Sequence, residues 1–238
     1  MTSRERISDV RRGQILQAAV EVICERGLAE TRVADIAERA GTSSALILYY
    51  FATKDRLLAE ALAFSEERFY AETTDELRRL DRASDQLVRL IELSCSKGSA
   101  AEENWVDEWV LWPDMWGRSL RDTDVARDRE TMDRRWRETI EGIVRAGQEA
   151  GEFEGAEPRA FALRLAGLID GLAIQVIMGD PEISPRRMLD LCLEMVEREL
   201  GFKASRKLKP AAASSRRRRT AMQRRQAQGA ARQASQPR

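Results

Sequence analysis

The sequence predicts an all-α protein: an N-terminal three-helix unit built round a helix-turn-helix, followed by a larger C-terminal helical unit. Three observations predict it. Apolar residues recur at helical spacing through most of the 238-residue chain, in blocks punctuated by glycine and proline. No stretch alternates as a strand would, and there is no hairpin signal or internal repeat. Two apolar segments near the N-terminus are too short to be stable helices alone, and a glycine-containing turn joins them.

The first helix is expected over about 9–26, with Ser8 as its cap, Ile15, Leu16, Ala19, Val22 and Ile23 on one face, and Gly27 as terminator. Two short helices follow, over about 33–39 and 44–50. Val33, Ile36, Ala37 and Ala40 form the stripe of the first, which Gly41 closes. Thr42 or Ser43 caps the second, whose inward residues are Leu46 or Ile47 and Tyr50. Thr53 caps a long helix over 54–79 carrying Leu57, Leu58, Ala61, Leu62 and Phe69. Helices over 85–97 and 102–112 come next, the second stopped by Pro113. A helix over 124–150 carries Val125, Met132, Trp136, Ile140, Ile143 and Val144, and Gly151 ends it. Pro158 opens a helix to about 178, which Gly179-Asp180-Pro181 breaks. Ser184 caps the last, with Pro185 at its first position, running to about Leu200.

Composition bounds the chemistry. Hydrophobic residues at 43% and charged residues at 34% suit a globular protein. No apolar run approaches the roughly 18–20 residues of a membrane span, and the charged N-terminus offers no signal-peptide core, so a cytoplasmic protein without a membrane partner is expected. The chain has no histidine, which removes histidine acid–base catalysis, Ser-His-Asp triads and most zinc sites. No enzyme activity, cofactor or metal is expected. Cys24, Cys95 and Cys192 lie far apart in apolar helical patterns and read as small buried hydrophobes. The formal net charge of zero hides an asymmetry. With 12 of the 40 basic residues after Phe202 and none of the 40 acidic ones, residues 1–202 carry a net charge of −12. Residues 203–238, rich in Lys, Arg, Ala, Ser and Gln, are expected to be a disordered basic tail. Arg216 to Arg219 with Arg224 and Arg225 suit non-specific phosphate contact.

The segment 31–54 carries the functional signal. A second helix of a helix-turn-helix enters a major groove about 12 Å wide, so its outward face must be small or hydrogen-bonding. Ser43, Ser44 and Ala45 meet that demand, and Tyr49 adds a phenol. Lys54 stands at a helix N-terminus, which suits a phosphate. On the residues alone, two core helices of an ordinary bundle stay open as the other reading.

The stretch from Ile15 to Leu62 resembles the DNA-binding domain of the tetracycline-repressor (TetR) family. Gly27, Thr31, Val33, Asp35, Ile36, Ala37, Ala40, Gly41, Ser43, Tyr50, Phe51, Lys54 and Leu57-Leu58 carry the match. Ser44-Ala45 and Leu48 depart from the family's frequent Lys-Gly and Tyr; Leu48 instead suits a thymine methyl. The resemblance implies a DNA-binding domain over 9–55, an effector-binding and dimerisation domain over 56–202, and double-stranded operator DNA as partner. Thr31, Arg32, Thr42, Ser43, Ser44, Ala45, Leu48, Tyr49, Tyr50 and Lys54 are the residues expected at the DNA, with the arm around Arg4 and Arg6 adding charge. It also implies a homodimer through 158–200, where Gly167 and Gly171 would allow close helix approach. The chain from Trp105 to Gly201 further resembles the family's betaine-responsive repressor subgroup, notably at Arg159-Ala160-Phe161 and Ile169-Asp170-Gly171-Leu172.

Trp105, Trp109 and Trp112 share a helical face at i, i+4, i+7, with Asp107, Glu108 and Asp114 among them. Aromatic faces with carboxylates bind organic cations. The expected effector is therefore a small molecule, a cationic amine, lined by Trp105, Trp109, Trp112, Trp136 and Asp170. Plain core packing explains the same tryptophans. The expected function is a sequence-specific transcription regulator, a repressor released from a palindromic operator by that effector. A helical enzyme or carrier without operator binding, and a nucleoid-like binder driven by the tail, are the competing classes.

Overall fold

The computed structural model describes residues 3–95 and 111–204. Those residues form α1 (Ser3–Arg26), α2 (Val33–Arg39), α3 (Ser44–Phe51), α4 (Lys54–Leu77), α5 (Ala83–Cys95), α6 (Leu111–Ser119), α7 (Thr123–Glu149), α8 (Pro158–Ile177) and α9 (Pro185–Leu200). The all-α reading holds, with three differences. First, α1 passes through Ser8 to Ser3, so Ser8 is helical and not a cap. Second, α6 passes through Pro113. The rest of the helix expected over 102–112 lies outside the described residues, which resume at Leu111. Third, α8 is long and apolar enough to cross a membrane by length and composition, with mean hydropathy 1.7 over its window, where the sequence reading found no such run. Its inward stripe, Phe161, Leu165, Ile169 and Ala173, is buried in the protein core.

Two cores organise the molecule. The head core gathers Ile15, Ala19 and Ile23 of α1, Ile36 of α2, Ile47 and Phe51 of α3, and Leu57, Leu58 and Ala61 of α4. The body core gathers Leu87 and Ile91 of α5, Ile140 and Val144 of α7, Phe161 and Leu165 of α8, and Cys192 and Val196 of α9. α4 belongs to both, because its 24 residues span about 36 Å and its Leu77 joins the body core. Met115 of α6 is buried in the head core, with Trp112, Val125 and Met132 packed against it.

Local chemistry fixes the ends. Ser184 accepts from the Arg187 amide at 3.2 Å, as expected of a cap. Glu157 caps α8 through the Arg159 and Ala160 amides, and these hydrogen bonds hold its carboxyl below the usual range. Gly147 of α7 admits no larger residue, since an added Cβ would lie 2.1 Å from the Phe153 ring. Beyond α9, the Ala204 amide donates to Glu197 at 2.8 Å and Lys203 pairs with Glu197 at 3.6 Å. The tail expectation starts at 203; these two residues are tied to α9, and the remainder lies outside the described residues. Cys95 and Cys192 are buried as expected, whereas Cys24 is half-buried.

Candidate functional site

Two sites emerge, an exposed helix face on the head and a cavity between head and body. The face is built by the turn between α2 and α3. Gly41 sits at φ +60°, a conformation that glycine adopts without steric cost. Its carbonyl accepts from the Arg11 guanidinium at 3.0 Å, which ties the turn to α1. Ser43 caps α3 by accepting from the Leu46 amide at 3.2 Å, and Thr53 caps α4 through the Arg56 amide. Arg39 pairs with Glu21 and Glu25, and Arg26 with Asp35, so α2 is held against α1.

α3 buries Ile47 and Phe51. Tyr50, expected inward, is half-buried and packs against the head core, and Phe51 is buried beside it. Ala45, Leu48 and Tyr49 face outward, Tyr49 at 81% exposure, beside half-buried Thr42, Ser44 and Lys54 and exposed Arg32 and Ser43. Thr31 does not belong to this surface. It is 0% exposed and its hydroxyl donates to the Gly27 carbonyl at 2.8 Å, so it braces the loop before α2 and is not placed to touch DNA. A buried hydroxyl is used internally when a carbonyl is within reach, which the sequence pattern does not reveal.

The cavity has a volume of about 470 Å³ and is walled by α4, α6, α7, α8 and the end of α5. Trp112, Trp136 and Asp170, three of the residues expected at the effector, line it. Trp105 and Trp109 lie outside the described residues. The sequence reading missed Glu66, Phe69, Tyr70, Trp116 and Asp133, which also line it. A signal was present: Glu66, Phe69 and Tyr70 stand at i, i+3, i+4, and Asp133 and Trp136 at i, i+3, each set on one helix face. Phe69 and Trp136 rings lie 5.7 Å apart, and Trp112 and Trp116 6.4 Å apart.

The cavity's charge is unusual. Burial, and next the charges of Asp133 and Glu67, push Glu66 up to about 8. Its Oε2 is buried with no hydrogen-bond partner among the described residues. Asp170 keeps an exposed surface, yet desolvation in the cavity, and next Asp133, push it up to about 6, against the guanidiniums of Arg137 and Arg129. Asp133 is also raised by burial, although Arg129 pairs with it at 2.8 Å. Glu67 is the contrast: Arg135 donates to it and holds its carboxyl below the usual range. The same Arg135 stacks 3.6 Å above the Tyr70 ring. Aromatic faces beside under-compensated carboxylates attract organic cations and repel anions. No group of three or more metal-ligating side chains occurs among the described residues.

Comparison with known proteins gives consistent matches to both halves. Residues 15–61 match the model of bacterial regulatory proteins of the tetR family. Residues 83–201 match the C-terminal domain of the BetI-type transcriptional repressor. The chain is 28% identical over 195 residues to the HTH-type transcriptional regulator BetI of Burkholderia ambifaria, covering 79% of this chain and 93% of that one. It is 34% identical to a Saccharomonospora viridis protein described as a transcriptional regulator, whose crystal structure is a complex with choline. That likeness covers 81% of this chain and 98% of the other, with a TM-score of 0.72. A TetR-family regulator of a Rhodococcus species, 24% identical with a TM-score of 0.66 over 80% of this chain and 98% of its own, shares the fold.

Proposed function

On the premise that this chain belongs to the TetR family of bacterial transcription regulators, with a C-terminal domain of the BetI type, we propose that it is a dimeric repressor released from its operator by a cationic amine. DNA binding and ligand response come with the family. The amine is the finer reading, and the observation that carries it is the cavity itself: Trp112, Trp116, Trp136 and Phe69 surround carboxylates of Glu66, Asp133 and Asp170. Choline in the Saccharomonospora relative supports the same ligand chemistry.

The cavity also has a route to the DNA. Met115 lines the cavity and is buried in the head core. Arg118, one turn on, pairs with Asp55 at 3.4 Å, next to Lys54 at the start of α4. A ligand that shifts α6 against α4 therefore changes the setting of the head. Dimerisation through 158–200 is supported by the outer face of α8. Leu163 is 51% exposed, Met178 75%, and Leu168, Leu172 and Val176 are half-buried. A Cβ at Gly167 or Gly171 would meet nothing within the protomer, so no packing inside the chain requires glycine there.

Binding of choline and of its neutral isostere 3,3-dimethyl-1-butanol, followed by tryptophan fluorescence and calorimetry, tests the amine reading. Choline should bind and the neutral alcohol should bind at least about tenfold more weakly, with Asp170→Asn reducing the difference. Equal binding of the two overturns it.

A further inference from the structure

The nature of the amine can be taken further, on the premise that the cavity is an amine site. Two carboxylates on its wall already have partners. Glu67 takes two guanidinium nitrogens of Arg135, and Asp133 takes Arg129. Glu66 on α4 and Asp170 on α8 make no ion pair among the described residues, and each also faces the negative charge of Asp133. Arg129 and Arg137 offset part of that charge at Asp170. At Glu66 the facing guanidinium, that of Arg135, is already engaged by Glu67.

A single quaternary ammonium satisfies one of these positions. It carries no N–H, so it leaves the buried Oε2 of Glu66 without a donor. A hydroxyl on the ligand supplies that hydrogen bond but not the second charge. An ammonium bearing N–H supplies both. The volume of about 470 Å³ leaves room for an aliphatic spacer between two charged ends.

We propose that the effector is an aliphatic diammonium compound, a diamine or polyamine, with one charged nitrogen facing Asp170 and a second, N–H-bearing nitrogen at Glu66. The raised position of Glu66, near 8, adds a consequence. The empty site holds a proton there at neutral pH. Arrival of the second ammonium favours the carboxylate and releases that proton to buffer.

Calorimetry on the full chain tests this with 1,4-diaminobutane, 1-aminobutane and choline as probes, at pH 7.5 in two buffers of different ionisation enthalpy. Wild type is compared with Glu66→Gln and Asp170→Asn, whose folding is checked by helical circular dichroism. Both substitutions preserve shape; Glu66→Gln replaces a carboxyl that is already neutral in the empty site and Asp170→Asn removes a poorly compensated charge, so both are expected to fold. The diamine should bind about tenfold or more tightly than the monoamine. Each variant should shrink that advantage to about twofold. The buffer-dependent proton release should vanish in Glu66→Gln. Equal affinity of diamine and monoamine in wild type overturns the proposal, as does a Glu66→Gln variant that keeps the full advantage. Choline binding without any diamine preference leaves the amine site standing and removes only the diammonium. Failure of all three probes removes both.

Discussion

Glu66 is a long acidic side chain in a helix rich in Glu and Arg, where a solvated position is the ordinary outcome. Its place on the cavity wall reverses that, and the reversal has a measurable sign. A carboxyl raised to about 8 in the folded chain, from 4.5 as its ordinary value, stabilises the fold in its protonated form. That contribution is complete below the unfolded value and is lost as pH rises through about 8. Asp170, raised to about 6 but exposed, adds only a screened loss in the same direction at lower pH. The groups facing Glu66 are Glu67, Asp133 and Arg135. With no histidine in the chain, the α-amino group and cysteine thiols are the other groups whose ordinary range falls between pH 6 and 8.5. The ligand-free protein should therefore melt at progressively lower temperature from pH 6 to 8.5, and Glu66→Gln should flatten the slope. A pH-independent melting temperature contradicts the burial assigned to this group. On the reading face, Tyr49 contributes little to folding because it is 81% exposed. Tyr49→Ala should leave folding stability, measured by denaturant unfolding, within about 0.5 kcal/mol of wild type. It should weaken specific DNA binding by about 1–3 kcal/mol if the phenol reaches a base edge. Unchanged operator affinity places recognition elsewhere on α3.

At the scale of elements, most helices were legible from apolar spacing and their caps. Ser43, Thr53 and Ser184 cap where their sequence positions suggest. The failures have physical reasons. Pro113 reads as a stop, yet α6 runs through it. Tyr50 and Phe51 are adjacent on a two-turn helix, and only tertiary packing decides that Phe51 is fully buried while Tyr50 packs half-buried against the same core. The cavity was half legible. Trp112, Trp136 and Asp170 are distinctive residues, whereas Glu66 and Asp133 gain their meaning only when α4, α7 and α8 are assembled. α8 carries the element-scale prediction. Glycine within a helix costs roughly 1 kcal/mol against alanine, and neither Gly167 nor Gly171 is crowded inside the protomer. Gly171→Leu should therefore leave the protomer helical but shift sedimentation from dimer toward monomer. A dimer of undiminished stability would place the interface off this face.

At the scale of the molecule, two cores share α4, and α6 bridges the cavity and the head through Met115. On the proposed function, effector and DNA would compete for the setting of this pair of helices. The basic segment after Phe202 sits on an otherwise acidic chain. Its deletion should weaken DNA binding chiefly at low salt and flatten the salt dependence, as lost phosphate contacts do; an unchanged slope assigns it no part in binding. The central claim is coupling between cavity and reading helix. The direct measurement is the anisotropy of an operator duplex, obtained by selection from random oligonucleotides, with the full chain and saturating choline or 1,4-diaminobutane. A cation that fills the cavity should raise the operator Kd by about 5–150-fold, and the operator should weaken cation binding by the same factor. The neutral isostere of choline should do neither. Operator affinity that stays constant while the cavity is demonstrably filled, or that falls equally with the neutral compound, contradicts the account.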